Sequence, residues 1–226
     1  MSAIGYGQTD GWAHGFVFTA HRRRQSGVPG LLKRVLDVSV AAAALAVLAA
    51  PMLVVAIAIR LDSRGPVMIW QERLGRDGKP FRMYKFRSMV AGAHDLLDGL
   101  RGLNEASGPL FKMAKDPRVT RFGRYLRRAS FDETPQLINV LKGEMSLVGP
   151  RPPFAHEVAH DPIRQSIRLQ ATPGMTGLWQ VSGRSDLPYE TMVSLDVRYL
   201  EEWTLRRDVK ILIQTPAAVL SGRGAR

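Results

Sequence analysis

VSVAAAALAVLAAPMLVVAIAI, residues Val38 to Ile59, carries no charged side chain. As a helix it is long enough to cross roughly 30 Å of hydrocarbon, so its reading decides the fold. A membrane segment is the first reading. A buried helix of a soluble domain is the second, although uncharged runs this long are unusual there. The flanks constrain how the segment sits: Arg22, Arg23, Arg24, Lys33 and Arg34 precede it, and Arg60, Arg64, Arg73 and Arg76 follow it. The positive-inside rule draws both ends to the cytoplasm, which a simple span cannot satisfy. Pro51, near the middle, removes one helix hydrogen bond and clashes with the preceding turn, so the chain can bend there. The expectation is a re-entrant helix-break-helix over residues 31–64 that dips into one leaflet. Asp37, one turn from Lys33 and Arg34, is expected to pair with them at headgroup level.

Residues 1–30, rich in glycine and polar side chains and ending in the basic cluster His21 to Arg24, read as a disordered tail. The order of basic cluster and apolar run is not that of a signal peptide, and a cytoplasm-facing protein is expected. The 226 residues carry 32 Lys plus Arg against 20 Asp plus Glu, a net charge of +12. Such a balance suits a polyanionic partner: nucleic acid, anionic lipid or a phosphorylated substrate. The absence of cysteine excludes disulfides, thiolate nucleophiles and cysteine-ligated zinc.

Beyond the apolar run, PVMIWQERLGRDGKPFRMYKFRSM (Pro66 to Met89) alternates apolar and polar residues about Asp77-Gly78, the pattern of a β-hairpin. On charge patterning alone, Lys85 and Arg87 suit a solvated strand face and a phosphate contact equally well. RRASFDETPQLINVLKGEMSLVGPRP (Arg127 to Pro152) then sets two adjacent carboxylates, Asp132 and Glu133, beside a proline. Ser130 and Glu133 suit a capping box, while Thr134-Pro135 offers a competing helix start. Either way the acids lie at a helix start, where unpaired N–H groups favour anions, and Gly143 suits the stop. Plain helix capping would explain the acids but not Arg151, a guanidinium held between prolines, whose planar fork matches phosphate oxygens.

His156-Glu157-Val158-Ala159-His160 reads H-E-x-x-H, a zinc-protease motif. Pro153 and Pro162 confine any helix here to about two turns, and Glu190 is the only plausible third ligand, so the expectation runs against a zinc site. In TPGMTGLWQVSGR (Thr172 to Arg184) the glycines suit tight turns and close backbone approach to a ligand, and Gln180 and Arg184 could read a nucleotide or its phosphates. Met192, Leu195, Tyr199, Leu200 and Trp203 recur at helical spacing. They read as core by default, although this helix and Val209 to Ile213 could lie at a membrane interface.

Taken together, SFDETPQLINVLKGEMSLVGPRPP resembles the core signature of the bacterial sugar transferases, monotopic phosphoglycosyl transferases that load a sugar phosphate onto a polyprenyl phosphate. The resemblance extends from Lys33 to about Ile213. It includes Lys33-Arg34 with Asp37, the proline at the bend, Q-x-R-x-G-x-x-G from Gln71, K-F-R-S-M from Lys85, D-x-R-V-T-x-x-G-x-x-L-R-R from Asp116, and P-G-M-T-G-x-x-Q-V-x-G-R from Pro173. Ala50 stands before Pro51 where some members have serine. The chain looks like the family's minimal form, without the multi-span domain that members often carry.

The resemblance implies transfer of a hexose phosphate from a UDP-sugar to undecaprenyl phosphate, with release of UMP. Asp132 would be the nucleophile, forming an aspartyl phosphosugar, and Glu133, with Asp132, would hold magnesium. Lys85, Arg87, Arg151, Gln180 and Arg184 would contact phosphates or headgroups. Arg118, Arg124, Arg127 and Arg128 would form a cationic wall beside the acids and lower their pKa values. The expected fold is α+β: a re-entrant membrane helix-break-helix, a small β-hairpin or sheet, and several amphipathic helices at the interface. Residues 65–226 would form a cytosolic catalytic domain on the bacterial inner membrane, with membrane lipid but no nucleic acid as a partner and a homodimer as one possible assembly. Galactose or glucose is the expected sugar. Two alternatives stay open: a membrane-tethered zinc protease using His156, Glu157 and His160, and a nonenzymatic basic membrane- or nucleic-acid-binding protein.

Overall fold

The computed structural model describes residues 27–222. The expected tail therefore lies outside the described residues except for Gly27 to Gly30, which begin the first helix. That helix, α1 (Gly27–Asp62), is a single element of 36 residues with Pro51 inside it. Its alanine- and leucine-rich run favours a helix. At residues spaced by threes and fours, one face of α1 stays against the protein: Ala41, Ala44, Leu45 and Leu48 in one apolar cluster, and Met52, Val55, Ala56 and Ile59 in another. Pro51 flanks this face and is itself exposed. The helix runs through Pro51 without a break in its assignment, and burial on both sides of Pro51 offsets the roughly 3 kcal/mol that an interior proline costs, so a turn of the chain here is a bend within one helix rather than a gap between two. The outer face leaves Val47, Leu53, Val54, Ile57 and Leu61 exposed, and only 6% of the most apolar window is buried. This is not the core helix of a soluble protein. An apolar outer face of this size fits a membrane-associated helix.

The first turns of α1 are fixed to the protein by charge. Lys33 Nζ donates to Asp208 Oδ2 at 2.6 Å and to the Val148 carbonyl at 3.0 Å, while Asp37 accepts the Leu147 N–H at 3.0 Å. Arg34 donates to the carbonyls of Val140 and Leu141. The pairing of Asp37 with its neighbours at headgroup level is therefore replaced by buried bonds, since both Lys33 and Asp37 are almost fully buried. The far end of α1 is capped by Arg87, which donates to the carbonyls of Ser63 and Arg64 at 2.6 and 2.7 Å. Arg87 also donates to the Ile59 carbonyl in the last turn at 3.4 Å, so one guanidinium serves an orphan acceptor of the helix and the two residues that follow it. Arg87, expected at a phosphate or headgroup, is committed to the segment that ends α1 and is not among the residues that line the cleft described below.

Strands β1 (Met68–Leu74) and β2 (Pro80–Phe86) form the expected antiparallel hairpin, with Met68 opposite Phe86 and Leu74 opposite Pro80. Asp77 and Gly78 both have positive φ, 59° and 73°, as the tight turn requires. After a single turn, α2 (Leu97–Leu100), helix α3 (Arg121–Arg128) is N-capped by Thr120 Oγ1, and α4 (Gln136–Lys142) ends at Gly143 with φ 82°. Strand β3 (Ser146–Val148) leads through α5 (Ala155–His160) and α6 (Pro162–Arg168) to β4 (Gly174–Thr176), which pairs with it in parallel. Helices α7 (Leu178–Ser182), α8 (Tyr189–Glu201) and α9 (Leu205–Leu220) complete the α+β architecture. Met192, Tyr199, Leu200 and Trp203 are buried, so this stripe is core and not a membrane face. Val209, Ile213 and Leu220 of α9 are exposed.

Gly149, just after β3, and Gly174 of β4 are packed against backbone, and Gly174 also lines the cleft described below. A Cβ on Gly174 would lie 2.1 Å from Gly149 N. No side-chain movement relieves that overlap. Gly174→Ala is therefore expected to destabilise the protein by about 3 kcal/mol, lowering its thermal midpoint in detergent by roughly 10 °C. An unchanged midpoint would show that the β3–β4 pair can separate at little cost.

Candidate active site

The acids sit on a single 3-10 turn, Phe131–Glu133, between α3 and α4. The capping box does not form: Ser130 is left-handed (φ 52°), makes no cap bond, and its hydroxyl accepts from Arg184 Nη2 at 2.6 Å. Arg184 is also left-handed, with φ 56°. Two non-glycine residues held in this region and bonded to each other mark backbone over-determined by its surroundings. Phe131 fixes the turn from below, stacking on Phe86 at 6.4 Å in the cluster that includes Ile59 and Leu126.

Asp132 is buried and Glu133 is half-exposed at the floor of a cleft of about 190 Å³. Lys85 Nζ reaches Glu133 Oε1 at 2.7 Å. The strand that carries Lys85 is held in place by Asn139 of α4, which accepts from Tyr84 N–H and donates to the Arg82 carbonyl. Arg73, Arg127, Arg151 and Arg184 also line the cleft, together with Trp179 and Gln180. Trp179 Nε1 and Gln180 Oε1 are buried without a partner among the described residues. Here an unpaired donor and an unpaired acceptor line one polar cleft.

Burial pushes the Asp132 carboxyl up to about 6; Lys85 and Arg127 oppose the rise and Glu133 adds to it. For Glu133, burial also acts upward, but Lys85, by charge and hydrogen bond, with Arg184 and Arg151, outweighs it and holds the carboxyl below its usual range. The lowering expected for both acids thus holds for Glu133 alone. Two adjacent carboxylates whose environments push them apart are suited to different tasks.

Arg151 owes its position to a residue that the sequence presented as part of a zinc motif. Glu157, fully buried, accepts from Arg151 Nη1 with both oxygens, at 3.0 and 2.9 Å, and from Phe154 N–H at 3.0 Å. Arg73 lies 3.6 Å from the same carboxylate and stacks 3.2 Å over the Phe154 ring. The Arg151 backbone is held as well: its N–H donates to Asp196, and its carbonyl accepts from Arg168, which pairs with Asp196 at 2.8 Å. His156 and His160 are exposed, against Phe154 and Tyr189, and Glu190 pairs with Arg164. With Glu157 spent on arginine, and no group of three metal-ligating side chains among the described residues, the zinc reading fails.

Of the expected cationic wall, only Arg127 lines the cleft. Arg118 is turned away, bidentate to Asp116 and over Phe111. Arg124 and Arg128 line a separate groove. Arg73, Arg168, Asp196 and Trp179 were not singled out as site residues from sequence, and Glu157 was singled out only for the zinc alternative. Asp196 had a signal, since a carboxylate on the same helical face as Met192 and Tyr199 must be buried with a partner.

The bacterial sugar transferase family profile matches residues 28–222. An undecaprenyl-phosphate galactose phosphotransferase of Salmonella typhimurium is 43% identical over 202 residues, covering 86% of this chain and 41% of the relative. A UDP-glucose:undecaprenyl-phosphate glucose-1-phosphate transferase of Caulobacter vibrioides is 45% identical over 203 residues, covering 84% of this chain and 70% of the relative. The exopolysaccharide production protein ExoY of Rhizobium meliloti is 37% identical over 202 residues, 88% of this chain and 89% of the relative. The chain spans less than half the length of several of the curated relatives it matches.

Proposed function

The chain belongs to the bacterial sugar transferase family, and from that premise we propose that it transfers a hexose phosphate from a UDP-sugar to undecaprenyl phosphate, the first step of an exopolysaccharide or related glycoconjugate. The observation that carries this reading is the buried Asp132 beside a lysine-paired Glu133 in a cleft lined by Lys85 and four arginines. An Asp132 oxygen attacks the sugar-linked phosphorus, the bond to the bridging diphosphate oxygen breaks, and UMP leaves with the electron pair. An oxygen of the lipid phosphate then attacks the same phosphorus and returns the electron pair to the carboxylate. Dividing the displacement avoids a direct encounter of two phosphate anions. Arg151, fixed by Glu157, and Arg184 meet the diphosphate, and Glu133 steers Lys85. Trp179 Nε1 and Gln180 Oε1 offer one donor and one acceptor to the polar groups of the nucleotide or hexose.

Two carboxylates, one with an oxygen committed to Lys85, fit magnesium, which prefers one or two carboxylates with substrate phosphates and retains water. When bound by Asp132 and Glu133, the ion supplies charge neutralisation to the diphosphate.

The membrane path proposed for α1 is re-entrant, on the cytoplasmic face of the bacterial inner membrane. A straight helix of its length would span about 54 Å, yet Lys33 at its start and Ile59, Ser63 and Arg64 at its end are bonded to one and the same body. Both ends are also cationic.

The test is UMP release by full-length protein in detergent or nanodiscs, with UDP-glucose and UDP-galactose given singly, magnesium present, and undecaprenyl phosphate added or omitted. Acceptor-dependent turnover with one donor is expected; silence with every UDP-sugar would sink the reading. The same assay across pH is expected to show kcat/KM for the donor falling as pH drops through about 6, as Asp132 takes up a proton and loses its nucleophilic form. Because Lys85 favours the ionised form, Lys85→Gln should move this limb to higher pH. A limb unmoved by that change would argue against Asp132 as the titrating group.

A further inference from the structure

We propose that the groove beside the cleft is a second anion site, which seats the phosphate end of the polyprenyl phosphate before transfer; this rests on the transferase reading above. The groove has a volume of about 660 Å³ and is lined by Lys115, Arg121, Arg124, Arg127 and Arg128. Asp116 is the single carboxylate in its wall, and both its oxygens are already occupied by Arg118, at 2.7 to 3.2 Å. Among the described residues no ion pair joins Arg121, Arg124 or Arg128 to a carboxylate. Several like charges gathered in one concavity repel one another, and a multiply charged anion relieves that repulsion. Arginines favour phosphate oxygens, which they meet with two parallel bonds.

Two further features point to a phosphate carried on a lipid. Helix α3 presents Arg121, Arg124 and Arg128 on one side and Phe122 and Leu126 on the other, and the latter pair packs against Met52, Val55, Ala56 and Ile59 of α1. The basic wall is therefore about one helix diameter, ~10 Å, from the apolar helix. Its surroundings are apolar too: Tyr125 is 74% exposed, and Leu220, two residues before Gly222 of the groove, is 86% exposed. A free phosphate gains nothing from these surfaces, whereas a prenyl chain covers them. The groove also communicates with the reaction centre, because Arg127 lines both concavities and its charge acts on Asp132 and Asp116 alike. A headgroup seated there is one side chain away from the acids. The donor diphosphate meets Lys85, Arg151 and Arg184 within the cleft.

The experiment compares wild type with Arg121→Gln/Arg124→Gln in nanodiscs. Single-turnover UMP release without acceptor is expected to stay within twofold, while KM for undecaprenyl phosphate rises at least tenfold and KM for the UDP-sugar does not change. Arg121→Lys/Arg124→Lys, which keeps the charge, should restore most of the acceptor affinity. A short-chain prenyl phosphate should compete with the acceptor in wild type, and inorganic phosphate at the same concentration should not. Equal competition by inorganic phosphate overturns the lipid assignment. An unchanged acceptor KM with a normal UMP burst overturns the groove. So does an equal loss of binding to phosphatidylglycerol vesicles, which makes the surface a general anionic-lipid contact. If wild type releases no UMP from any donor, the transferase reading itself fails, and that result is distinct from the others.

Discussion

Asp132→Asn is expected to abolish the donor half-reaction, lowering single-turnover UMP release by at least about a thousand-fold, the scale on which loss of a covalent nucleophile is felt. The amide has the shape of the carboxylate but cannot form the phosphate ester. The fold should survive, because Lys85 is paired with Glu133 and the change removes a buried charge rather than half of an ion pair. Thermal melting in detergent should therefore show a midpoint equal to or above that of wild type. Retention of more than a tenth of the burst would move the nucleophile to Glu133 or elsewhere.

The second large effect is expected at Glu157. Glu157→Gln keeps the volume and an acceptor for the Phe154 N–H but removes the charge that faces Arg73 and Arg151. Two guanidiniums would then confront each other beside the cleft with only Asp196 and Glu133 near. Removing one partner of a buried pair costs about 3 to 5 kcal/mol, and loss of a positioned phosphate donor lowers rates by about a hundredfold or more. The expected result is a fall in kcat/KM of at least a hundredfold together with a lower melting temperature. His156→Ala and His160→Ala should leave activity within about twofold, since both rings are exposed; a loss in either that zinc restores would revive the metal reading.

Much of this architecture was legible wherever local chemistry decides structure. The Asp77-Gly78 turn, the Gly143 stop and the apolar run of α1 each follow from one residue type in one conformation or from one uninterrupted composition. The acid pair and Arg151 were also visible as a site. What the sequence concealed was destination. Arg87 and Arg118 look like their neighbours Lys85 and Arg127, yet the first two end on carbonyls and on Asp116 while the latter two line the cleft. The difference depends on packing partners up to 48 residues away, as with Lys85 and Glu133. The zinc motif misled for the same reason: spacing on a short helix says which residues share a face, not what that face meets. Burial, which raises Asp132 against the local positive charge, is likewise a property of the assembled chain.

The bond between Lys33 and Asp208 joins residues 175 positions apart, and that separation gives the protein a history as well as a shape. At about 5 to 20 residues per second, synthesis brings Asp208 out roughly 10 to 35 s after Lys33. For most of that interval the apolar helix has been made while Lys33, in its second turn, still lacks the carboxylate that will pair with it. The latch that fixes the start of α1 to the rest of the chain is therefore among the last contacts that synthesis can close.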